Sequence, residues 1–121
     1  MLEEEVLRFL RTAIASLWTL ELLLLMAREA TRGWSIEGLT RELRASVGIT
    51  TGALRQLGEV GLVVGRDGLY RYSPANAELD RLVRRTVEAY ATYPLAVTRA
   101  VLSAPDHQIQ LFADAFRLKK E

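Results

Sequence analysis

Residues 39 to 63 read L-T-R-E-L-R-A-S-V-G-I-T-T-G-A-L-R-Q-L-G-E-V-G-L-V, and the reading of this stretch decides the fold. Leu39 and Leu43 stand four apart, the inward face of a short helix near 36 to 44. Ser46 then offers a side-chain oxygen to the free NH groups that begin a helix. Thr50, Leu54 and Leu57, at spacings of 4 and 3, mark one side of that second helix, which should end near Val60 with Gly61 beyond it. Gly48 and Gly52 each cost a helix about 1 kcal/mol relative to Ala, so a later start with a Thr50 or Thr51 cap stays open. Past Gly61, L-V-V-G-R-D-G-L-Y-R-Y from Leu62 to Tyr72 holds two β-prone runs around Gly-Arg-Asp-Gly. That is a hairpin, with Arg66 at its tip.

The flanks are helical. Val6, Leu10, Ala13, Leu17, Leu20 and Leu24 repeat at spacings of 4, 3, 4, 3 and 4, and Leu22, Leu23 and Leu25 add apolar residues on other faces. The second half of the stretch should therefore be enclosed all round. Ser16 separates a helix near 3 to 15 from one near 16 to 30, with one continuous helix as the alternative. Gly33 stops the run, Trp34 to Ile36 can extend, and Ser35 can cap the helix near 36 to 44. On the other side Ser73-Pro74 is expected to cap and open a helix striped by Leu79, Leu82, Val83, Thr86, Val87 and Tyr90. Pro94 kinks or restarts it, and Leu95 to Leu102 continue. A last helix from about 106 carries Ile109, Phe112, Ala113 and Phe116 and ends in Lys119-Lys120, cations suited to a helix C-terminus.

The 121 residues make one ordinary domain, 1–121, with N-terminal helices at 1–33, the two-helix unit and hairpin at 34–72, and C-terminal helices at 73–121. With 50% hydrophobic and 26% charged residues the chain is too apolar to be disordered. A cysteine count of zero removes disulfides, thiolate metal sites and cysteine nucleophiles, and is compatible with a reducing cytoplasm. The start, Met1-Leu-Glu-Glu-Glu5, is acidic where a secretory signal is basic. Thr12 to Ala27 is short of the roughly 20 apolar residues of a membrane span and contains Glu21, so a buried helix is expected and no membrane partner. Sixteen Lys+Arg against 15 Asp+Glu says little in bulk, but residues 32 to 72 are mildly positive and every cation there is arginine.

Two short helices, a tight connection and a hairpin form the winged helix-turn-helix order. The positions Leu39, Leu43, Thr50, Leu54, Leu57 and Leu62, with Gly61 before the hairpin, resemble the signature of bacterial winged-helix regulators, without an insertion. With helices before and after, the layout is similar to the MarR family of dimeric transcriptional regulators; the detailed match covers about a third of the chain. The resemblance implies a mainly α fold with a small β-hairpin wing, dimerisation through the N- and C-terminal helices, and duplex DNA as partner. It places Ser46, Val47, Gly48, Thr51, Gly52 and Arg55 on the groove side of the second helix, Arg66 at the wing, and Arg41 and Arg44 as flanking phosphate partners. The expected surface departs from typical members in being poor in Arg, Asn and Gln.

Other functions are less supported. A winged helix can instead dock a protein without binding DNA. Trp18, Trp34, Tyr90 and Tyr93 could line an effector pocket, although packing accounts for them more simply, and no effector is specified. The lone His107 beside Asp106 reads as surface or capping. Glycines 58, 61, 65 and 68 do not fit G-x-G-x-x-G and no Gly-Lys-Ser/Thr occurs after them, so no cofactor, metal or enzymatic activity is expected.

Overall fold

The computed structural model describes residues 2–102. The expected last helix, with Ile109, Phe112, Ala113, Phe116, Lys119 and Lys120, and the pair Asp106 and His107 lie outside the described residues. Within them the chain is mainly helical, with a two-stranded antiparallel hairpin. The order is α1 (Glu4–Ala13), α2 (Leu17–Arg28), α3 (Ile36–Leu43), α4 (Val47–Val60), β1 (Val63–Arg66), β2 (Leu69–Tyr72), α5 (Ala77–Thr92) and α6 (Pro94–Leu102).

The N-terminal stretch is two helices bent by 114°, not one. Ser16 makes the break, its hydroxyl accepting from the Thr19 NH at 3.1 Å. Val6, Leu10, Ala13, Leu20 and Leu24 are buried as their spacing requires, and so are Leu22 and Leu23, so α2 is enclosed on several faces. Against α2 pack α4, β2, α3 and α6, while α1 lies on α5 and α6. One core results, and truncating a fully buried leucine such as Leu23 to Ala should cost about 2–5 kcal/mol. No single helix among the described residues is long and apolar enough to cross a membrane.

Three expectations need correction. The fifth helix is not opened by Ser73-Pro74: the Ser73 NH is held by the Leu62 carbonyl at 2.9 Å and the Ala75 NH by the Gly61 carbonyl at 2.8 Å. The cap is Asn76, whose Oδ1 accepts from the Leu79 NH at 2.9 Å. Arg66 is not in the turn but closes β1 opposite Leu69. The turn is only Asp67-Gly68, both left-handed (φ 55° and 78°), as a two-residue hairpin requires. Packing does not absorb every aromatic, since Trp18 and Tyr93 are 40% and 44% exposed, although Trp34 is buried. Pro94 restarts the chain as the first residue of α6.

Candidate nucleic-acid interface

α4 is held by bonds from both sides of its axis. Ser46 caps it, accepting from the Ile49 NH at 3.1 Å, which settles the start at Val47 rather than at Thr50 or Thr51. The buried Thr50 hydroxyl donates to the Ser46 carbonyl at 3.0 Å and accepts from Thr40 of α3 at 2.9 Å, locking the two helices together. Gln56 turns the other way: its Nε2 donates to the carbonyl of Ala13 at the end of α1, 2.7 Å away. Gly61, left-handed at φ 90°, ends the helix and leads into β1.

Thr50, Ala53, Leu54 and Leu57 face the core. Gln56 and Val60 are half-buried, and the other side chains of the helix are outward. Val47, Thr51 and Arg55 succeed one another at intervals of four and so form one row, all exposed. Gly48, exposed, and Gly52, half-buried, form the adjacent row. A Cβ at Gly52 would meet nothing within 4 Å, and one at Gly48 only the Ser46 Oγ at 3.9 Å. Packing within the chain therefore asks for neither glycine.

Two grooves run beside this surface. On the hairpin side, Thr51 and Arg55 share a groove of about 200 Å³ with Ile36, Gly58, Gly65 and Tyr70. Tyr70 is an addition to the expected site. Its ring lies across Gly65, where a Cβ would stand 2.7 Å from the ring edge, and its backbone is bonded both ways to Trp34 at 2.8 Å. The alternation of L-Y-R-Y, with period 2, is the sequence signal that puts Tyr70 on the helix side. On the other side of α4 a larger groove, about 580 Å³, is bounded by Trp18, Ile49, Gly52, Gln56, Arg55 and Glu59.

The expected site residues thus fall into three places. Ser46, Val47, Gly48, Thr51, Gly52 and Arg55 are together on α4. Arg41 lies in the last turn of α3 and Arg44 is its left-handed C-cap (φ 55°), both exposed at the entry to α4. Arg66 is set apart: strand alternation places it with Val64, Leu69 and Arg71, on the face opposite Gly65 and Tyr70.

The charges of this unit differ from those of α5. Among the described residues the side chains of Arg41, Arg44, Arg55 and Arg66 make no hydrogen bond or ion pair, so the salt bridge that Asp67 could have offered Arg66 is not formed. On α5 every arginine is engaged. Arg81 forks onto both Glu5 oxygens at 2.8 and 2.7 Å and also meets Glu78 at 2.6 Å. Arg84 meets Asp80 at 2.8 Å and Arg85 meets Glu3 at 2.7 Å. The Arg81 hydrogen bonds hold the Glu5 and Glu78 carboxyls below their ordinary value, and Arg84, then Tyr72, does the same for Asp80. Burial, and then the bond to Asp80, pushes the Tyr72 phenol up.

No protein-family model, curated protein or solved structure matches the chain.

Proposed function

We propose that the chain is a winged helix-turn-helix protein that binds duplex DNA sequence-specifically as a dimer and works in the cytoplasm as a transcriptional regulator. In this reading α3 braces α4, α4 enters the major groove with its first turns, and the hairpin is the wing. The observation that carries it is the distribution of arginine partners. Arg41 and Arg44 at the entry to α4, Arg55 on its outward row and Arg66 on the far face of the hairpin carry bare guanidinium groups, whereas Arg81, Arg84 and Arg85 of α5 are all paired with carboxylates. Guanidinium forks suit phosphate oxygens and the guanine edge.

The test is binding of the full chain to random duplex DNA across a salt series. Phosphate neutralisation gives a steep linear fall of log affinity with log salt. A protein that binds no duplex at low salt refutes the proposal. A second reading, a winged helix that docks a protein, is favoured by the groove beside α4, where Trp18 and Ile49 are exposed. A protein ligand held through Trp18 with no affinity for duplex would establish it instead.

A further inference from the structure

We infer that α4 selects its sites through thymine methyl groups, with Val47 as the residue that reads them; this rests on the DNA-binding reading above. In the major groove an amide forks onto adenine, a guanidinium onto guanine and a carboxylate accepts from cytosine, while thymine alone presents a methyl group. The inventory of α4 is short. Its one amide, Gln56, is turned inward to the Ala13 carbonyl at 2.7 Å, so it is not aimed at a base. Its one carboxylate, Glu59, lies in the last turn, far from the N-terminal turns that enter the groove. The outward side chains of the first turns are Val47, Thr51 and Arg55 in one row, and Ile49, which faces the groove beside Trp18 rather than that row.

Val47 opens that row and is 58% exposed. It has no polar group, so the partner it can bury itself against is apolar, and the thymine 5-methyl is the apolar group on the groove floor. A valine is short and reaches a base only if the helix lies deep. The adjacent row permits this: Gly48 and Gly52 put no side chain between the helix backbone and whatever it faces, and the room for a Cβ at Gly52 is empty. Thr51 adds a second methyl in the same row. Arg55, one turn on, is left to fix register on phosphate or guanine.

The experiment starts from duplexes selected out of a random pool by the full chain. Each thymine of a selected site is then replaced by deoxyuridine, which removes the 5-methyl alone. At one or two thymines per half-site the replacement should weaken binding about fourfold, the size expected for one buried methyl. Val47→Ala protein, whose exposed position should leave its unfolding midpoint no lower, should distinguish the thymine and deoxyuridine forms of that position much less than wild type does. Selected sites that tolerate deoxyuridine throughout overturn the inference and leave DNA binding standing. Equal sensitivity in wild-type and Val47→Ala protein overturns the assignment to Val47. A wild-type chain that holds no duplex overturns the parent reading, and the inference with it.

Discussion

A Cβ built at Gly52 meets no atom within 4 Å, so Gly52→Ala introduces no clash in the free protein. It replaces a residue that costs a helix interior about 1 kcal/mol with the best helix former, and the unfolding midpoint should rise by a few degrees. If α4 lies in the major groove, the same methyl enters the space the DNA must occupy. DNA affinity should then fall while stability rises, a divergence read by thermal unfolding and a binding isotherm on one preparation. Lower stability in the alanine protein would show that the glycine answers a need inside the chain. Arg55 offers the complementary case. It is exposed and without a side-chain partner among the described residues, so Arg55→Ala should leave folding unchanged. Its loss should weaken a selected site by about 1–3 kcal/mol if the guanidinium forks onto guanine. Unchanged affinity of a folded Arg55→Ala protein would move the contact elsewhere and strengthen the protein-docking reading.

The hairpin approaches α4 with the Tyr70 ring, laid over Gly65 and lining the groove that holds Thr51 and Arg55. Arg66 leaves the strand on the opposite face, next to the Asp67-Gly68 turn, where no ion pair holds it. As a wing contact it should act on phosphate: Arg66→Ala should weaken selected and random duplexes about equally and lower the salt slope by roughly one per site. Loss confined to one sequence would mean that it reads a base in the minor groove, and no loss on either would turn the wing away from DNA. How legible these elements are in the sequence depends on how local their causes are. The Ser16, Ser35 and Ser46 caps and the Gly61 stop act within a few residues; Ser35 and Gly61 stand where the sequence reading puts them, and Ser16 and Ser46 resolve the alternatives of one continuous helix and of a Thr50 or Thr51 start. The start of α5 escapes a sequence reading because the NH groups of Ser73 and Ala75 are taken by carbonyls of Leu62 and Gly61, a competition that a capping signal does not contain. Gln56 shows the same at longer range. In the sequence it is only one of a scarce polar set, yet its amide is spent on a carbonyl 43 residues away, and that tertiary bond determines what α4 has left to read with.

At the scale of the molecule, α1 is tied to α5 by Arg81 with Glu5 and by Arg85 with Glu3, and α5 is tied to β2 by Tyr72 with Asp80. The Glu5 and Asp80 carboxyls are held below their ordinary 4.5 and 3.8, so the unfolded chain takes up these protons at higher pH than the folded one. Their contribution to stability is therefore complete above those values and is lost as pH falls below about 4.5. The carboxylates are only half-buried, so solvent screens the pairs and their contribution is small. Amide exchange at low pH should accordingly rise in α1 and α5 before it rises in α4, whose caps and Thr40–Thr50 bond do not titrate; simultaneous opening would assign no role to the carboxylates. The same helices bear on assembly. α6 packs on α1 and α5 through Val97, Ala100 and Val101, and beyond that contact it presents Leu95, 69% exposed, with Tyr93 just before it. A second copy related by two-fold symmetry is expected to cover this apolar surface, and if the pair reads DNA its two α4 helices must stand about 34 Å apart, one DNA turn. Leu95→Glu tests this without touching the core. Sedimentation should give a dimer for the wild type and a monomer for the variant at the same micromolar concentration. The variant should lose affinity for a duplex with two half-sites one turn apart and keep it for a single half-site. A wild-type monomer at that concentration would refute the two-fold arrangement, and an unchanged dimer in Leu95→Glu would move the seam off α6.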